Sequence, residues 1–145
     1  MDASAMMSEN AALVFLTGIS AITDLFRGKI YNAVTVPGLL LGIVFTARRA
    51  GASGILEVLC AAVFTIIVLS PFRRAGGLGA GDVKLLAAVA AFMPSGEYLR
   101  CFAGAFLIGA CIGIVRLMGS RGKKHTLHFA VPVAASVFLH IAGIL

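Results

Sequence analysis

Ala75-Gly-Gly-Leu-Gly-Ala-Gly-Asp82-Val-Lys84 sets one carboxylate among four glycines inside a chain that is otherwise dominated by apolar residues. A carboxylate that opens an apolar run, approached by backbone with no side chains, is expensive to leave without a purpose. The surrounding chain has 145 residues, of which 60% are hydrophobic and 12% charged, with a mean hydropathy of +1.03. Soluble domains of this length carry about a quarter charged residues. The composition therefore specifies an all-α integral membrane protein, read as one membrane-embedded domain over residues 1–145. The first apolar run does not resemble a signal peptide, because Asp2 and Glu9 precede it in place of a basic segment.

A bilayer core of about 30 Å takes roughly 20 helical residues. Six apolar runs approach that length: 11–23, 30–47, 55–69, 83–93, 99–118 and 127–145. Gly, Pro and basic clusters punctuate them, as at Arg27-Gly28-Lys29, Arg48-Arg49-Ala50-Gly51 and Pro94-Ser-Gly96. The expected architecture is a bundle of six transmembrane helices. The fourth is short: from Val83 to Pro94 it falls well short of a bilayer, and the glycine-rich loop before it is expected to meet it at a wet pocket. Glu9 and Asp2 are read as an N-terminal tail.

The net charge of +6 does not point to nucleic acid in such a chain, since basic residues mark cytoplasmic loops. With six spans, Arg27, Lys29, Arg73, Arg74, Lys84, Arg116, Arg121, Lys123 and Lys124 fall on one side. Arg48, Arg49 and Arg100 fall on the other. Both termini are then expected outside, with the glycine-rich loop on the cytoplasmic side of the inner membrane. Cys60, Cys101 and Cys111 lie in apolar runs with no paired spacing, which argues for packing rather than metal or disulfide. His125, His128 and His140 lack metalloprotease spacing, and Gly-Ala-Gly-Asp lacks the ending of a phosphate loop, so no cofactor or metal is expected.

Two acids remain after the tail residues, Glu97 and the outer Glu57 are set aside. Asp24 ends the first run and Asp82 opens the fourth, which puts both at one depth on one face. The plainer readings are an N-cap for Asp82 and an interfacial ion pair with Arg27 or Lys29 for Asp24. The functional reading is a pair. Two carboxyls held close share one proton, so one can take a proton from water while the other gives one to a peptide carbonyl. Gly79 and Gly81 would leave room for an extended peptide beside Asp82. Gly76 and Gly77 fit either that role or a plain flexible loop. Lys84 either supports the Asp82 carboxylate or reaches the lipid headgroups.

Gly79-Ala-Gly-Asp82-Val-Lys84-Leu85 resembles the GxGDxKL signature of type IV prepilin peptidases. Thr23-Asp24-Leu25-Phe26-Arg27-Gly-Lys-Ile30-Tyr-Asn32 resembles their first aspartate motif. The resemblance implies an aspartic endopeptidase that cuts the leader from prepilins and pseudopilins at the cytoplasmic face, with Asp24 and Asp82 as the catalytic pair. It also implies supporting positions at Gly79, Gly81, Lys84, Arg27 and Asn32, and a substrate helix in the bilayer as partner. His128-Phe-Ala-Val-Pro132 loosely matches a proline-containing segment at the start of the family's last helix. No cysteine-paired segment of the N-methylating members is present, so the chain resembles the short, peptidase-only form of Flp-type (Tad) systems, ahead of the archaeal preflagellin form. The alternative is a small proton-coupled transporter or a pilus-assembly scaffold. Carboxylates near the midplane and repeated halves would favour the transporter.

Overall fold

The computed structural model describes residues 3–74, 76–119 and 128–145. The counted basic residues Arg121, Lys123 and Lys124, together with Asp2, His125 and the start of the sixth run, lie outside the described residues. All regular structure among the described residues is helical: α1 (Ala3–Arg27), α2 (Asn32–Arg74), α3 (Ala80–Ala90), α4 (Ser95–Gly119) and α5 (Ala130–Ile141). Segments Met6–Arg27, Asn32–Arg74 and Ser95–Val115 are long and apolar enough to cross a membrane. Large apolar side chains such as Leu40, Leu56, Ile67 and Leu107 stand more than half exposed, as suits contact with lipid rather than water.

The second and third expected runs are two helical arms that meet at a kink and are taken together as α2. Helix α2 has 43 residues, which would reach about 64 Å if straight. It is not straight. Gly51 has φ 59°, ψ −142° inside it, a conformation that side chains disfavour. A Cβ at Gly54 would come within 2.7 Å of Thr46 Cγ2. Eight residues of unbroken helix would separate those positions by about 12 Å, so the chain doubles back at Gly51 and α2 has two arms.

Helix α3 is the hub. Its 11 residues span only about 16 Å, in line with the expected short fourth helix. Leu85, Leu86, Ala88 and Val89 are fully buried and Ala90 nearly so. A helix apolar on every side belongs at the centre of a bundle, and α3 packs chiefly on α2. Its last carbonyls need partners. The Thr46 hydroxyl donates to Ala91 O at 2.7 Å and the Arg49 guanidinium to Phe92 O at 3.2 Å. Arg49 also pairs with Glu9 at 3.1 Å. Glu9 is thus buried in α1 and not part of a loose tail, because α2 delivers a cation to it. The same end of the bundle gathers Ser95 on Glu57 and His140 beside Glu97.

Helices α4 and α5 close on each other through small residues. A Cβ at Gly104 would lie 2.8 Å from Ser136 Oγ, and one at Gly109 2.9 Å from the Phe129 ring. Ser136 Oγ donates to Cys101 O at 2.6 Å. The rings of Phe102, Phe106 and Phe129 stack in sequence between them. Helix α5 is shorter than the expected sixth run, ending at Ile141 where Gly143 N–H bonds His140 O and Ile144 N–H bonds Leu139 O, a Schellman stop.

Candidate functional site

Helix α1 ends one turn beyond Asp24. Gly28 adopts φ 60° and its N–H bonds Asp24 O at 2.8 Å, an αL termination that glycine performs without strain. The chain then turns through Lys29 and Ile30 into α2. On the other side, α2 stops in a Schellman motif: Gly76 has φ 77°, its N–H bonds Arg73 O, and Gly77 N–H bonds Phe72 O. Two glycine stops therefore aim two short loops at one place.

Asp82 lies three residues beyond the Gly79 N-cap of α3, not at the cap itself. Its Oδ2 reaches back to accept the Gly79 N–H at 2.8 Å. A carboxylate in the first turn also suits the positive end of the helix. The first turn sits tight against the loop after α1, because a Cβ on Gly81 would be 2.8 Å from Ile30 Cβ. Gly81 is thus required by close approach.

Between these loops lies a cleft of about 380 Å³. Asp24, Lys29, Tyr31 and Asn32 line it from one side, and Gly79, Gly81 and Asp82 from the other. Asp24 is 7% exposed and Asp82 6%, so two carboxyls far apart in sequence are buried around the same space.

Of the expected supporting positions, Gly79, Gly81 and Asn32 reach the cleft. Arg27 and Lys84 do not line it. The Arg27 guanidinium donates to the Tyr31 hydroxyl at 3.2 Å, and Lys84 Nζ donates to Asn32 Oδ1 at 3.0 Å, both exposed. The ion partner of Asp24 among the described residues is neither Arg27 nor Lys29 but His128, whose Nδ1 stands 3.5 Å from Asp24 Oδ1. His128 was not among the expected site residues. The match of its segment to a helix-start motif put weight on Pro132, and nothing local pointed to Asp24.

The sequence model of the type IV leader peptidase family matches residues 11–114. The chain belongs to the type IV leader peptidase family. This leader peptidase carries both aspartates, all the cleft-lining residues, α1 from residue 11 onward, α2, α3 and most of α4 within the matched span. Helix α5 and His128 lie beyond it. No curated protein and no solved structure matched the chain.

A second hollow lies between α1 and α2. It is an apolar groove of about 280 Å³, lined by Ala12, Phe15, Leu16 and Ile19 of α1, by Ala33, Val34, Pro37, Gly38 and Leu41 of α2, and by Phe92. Asn32 lines the cleft and the next residue, Ala33, lines the groove.

Proposed function

We propose that this membrane peptidase is an aspartic endopeptidase. It removes the leader from type IV, Flp-like prepilins and pseudopilins at the cytoplasmic face of the inner membrane. The observation that carries the reading is that Asp24 and Asp82, both more than nine-tenths buried, line one cleft. Asp24 and Asp82 are the catalytic pair, sharing one proton. The ionised carboxylate takes a proton from water as its oxygen attacks the scissile carbonyl carbon, and the protonated carboxyl donates to the carbonyl oxygen. The tetrahedral intermediate then breaks at C–N, with the amine leaving protonated. Hydrolysis closes on a new carboxyl end and a new amino end, with the pair returned to its starting proton count.

The topology of the proposal is six crossings with both termini outside, the two arms of α2 counting separately. Contacts at the two ends support it. Asp24, Gly79, Asp82 and His128 meet at one end, and Glu9, Arg49, Phe92, Glu97 and His140 gather at the other. The distribution of lysine and arginine assigns the first end to the cytoplasm. The substrate is a single apolar helix preceded by a short polar leader. That helix lies along the groove between α1 and α2, with its leader junction at the carboxylates; the supporting observation is that Asn32 of the cleft and Ala33 of the groove are adjacent on α2.

The test is co-expression with a Flp-type precursor bearing a tag on its mature part. A shorter product that appears only with the peptidase supports the reading. A precursor that stays full length while assembly or proton flux changes would replace it with a scaffold or a transporter.

A further inference from the structure

The two carboxyls of the cleft are held by different means. Asp82 accepts a neutral backbone N–H from Gly79. Asp24 faces an imidazole, with His128 Nδ1 3.5 Å from its Oδ1. Neither Asp24 Oδ2 nor His128 Nδ1 has a hydrogen-bond partner among the described residues, and both atoms are buried. Buried polar atoms without partners cost stability unless they serve each other or a bound molecule. Contacts of this kind are commonly long in an empty site and shorten when substrate arrives.

The position of His128 is built, not incidental. The next residue, Phe129, is 3% exposed and its ring lies 5.0 Å from that of Phe106. Gly109 clears space for that ring on α4. His128 O accepts Val131 N–H, and Phe129 O accepts Val133 N–H, fixing the backbone at the start of α5. Helix α5 in turn packs on α1. The imidazole is thereby carried to the last turn of α1, where Asp24 stands.

We propose that His128 is a positioning residue for Asp24. It orients that carboxylate as the member that activates water and leaves the shared proton on Asp82. Asp24 faces a side-chain imidazole nitrogen whereas Asp82 receives only a backbone N–H, so the pair is asymmetric before substrate binds. Asp24 is then the general base and Asp82 the general acid. This assignment rests on the aspartic-peptidase reading above and adds roles to it. Among the described residues, the other charged or titratable side chains lining the cleft are Lys29 and Tyr31. Arg27 is engaged by Tyr31 and Lys84 by Asn32.

The experiment is leader cleavage by the purified full-length chain in detergent, using a precursor made of one apolar helix behind a short polar leader. It measures kcat, KM and the pH dependence of kcat for the parent and for His128→Ala and His128→Asn. The alanine variant is expected to lose kcat by about ten- to a hundredfold, as for a misplaced reacting group, with KM little changed. Its acid limb is expected to move to higher pH by on the order of one unit, because an imidazole able to carry positive charge beside the carboxylates is gone. Asparagine offers a donor near the same place without the charge. It should recover part of kcat and leave the acid limb displaced. Should His128→Ala fail to accumulate in the membrane, His128→Asn alone carries the test. An acid limb unmoved in His128→Asn, or parental kcat in His128→Ala, would overturn the proposal. The aspartic reading is judged separately by Asp24→Asn: if that variant cleaves normally, the reading itself fails, whatever the histidine variants do.

Discussion

Replacing Gly81 by alanine adds one methyl group and should nearly silence the peptidase. The new Cβ would stand 2.8 Å from Ile30 Cβ, whereas carbon atoms rest comfortably at about 3.5–4.0 Å. Ile30 Cβ is bonded directly to the backbone and cannot rotate away. The first turn of α3, which carries Asp82, must therefore withdraw from the loop after Asp24 by about 1 Å. Overpacking of this kind costs about 1–3 kcal/mol of stability. A 1 Å error at reacting groups can cost about a hundredfold in rate. Initial rates of leader removal in detergent, with thermal unfolding measured alongside, separate the two effects. We expect kcat to fall between about ten- and a hundredfold in protein that still folds, with KM little changed. Gly77→Ala is the control, since the nearest atom to its Cβ would be Phe72 O at an ordinary 3.5 Å; it should cleave at the parental rate. Combining Gly81→Ala with Ile30→Gly, which removes the opposing Cβ, should recover part of the loss. Full kcat in Gly81→Ala alone would refute the close-approach argument.

Other expectations follow from the same geometry. The cleavage rate plotted against pH should fall on both sides of a maximum, because the pair works with one proton, and the two apparent values belong to the pair; a rate flat on either side would argue against a shared proton. Arg49→Ala should lower the unfolding free energy by about 2 kcal/mol, since it strips Glu9 and the Phe92 carbonyl of a charged donor; in protein that remains folded, cleavage per molecule should stay near the parental rate. Ala33→Trp, placed in the groove beside Asn32 of the cleft, should raise KM for a helical precursor more than it lowers kcat, as read from full kinetic curves.

Much of this was legible in the chain because so little in it is polar. With few acids available, Asp24 and Asp82 stood out at the ends of apolar runs, and alternation of spans was enough to bring them to one face. The shortness of α3 was legible from Pro94. What stayed hidden depended on contacts between distant elements. Nothing near Glu9 announces Arg49, so a buried ion pair read as a solvated tail. Nothing in His128-Phe-Ala-Val-Pro132 announces Asp24, because the meeting is made by α5 packing on α1. The break between the second and third runs, by contrast, was legible at Arg48-Arg49-Ala50-Gly51, and Gly51 is where the two arms of α2 part. Lys84 was open to a better reading. Asp82 and Lys84 are two positions apart in one helix, about 200° around the axis, and residues so spaced do not face each other. Lys84 accordingly finds Asn32 and not Asp82. Among the glycines, only coordinates could tell Gly81, which is pressed against Ile30, from Gly77, which is not.

The central claim is that two carboxyls, one from α1 and one from α3, perform the hydrolysis together. The direct measurement is leader removal from a Flp-type precursor by purified Asp24→Asn and Asp82→Asn chains, each checked for membrane insertion and for an unfolding transition like the parent's. Asparagine keeps the shape and removes the titratable carboxyl group. The account predicts that each variant leaves the precursor at full length under conditions where the parent converts it completely. Precursor shortened at the parental rate by either variant would contradict it.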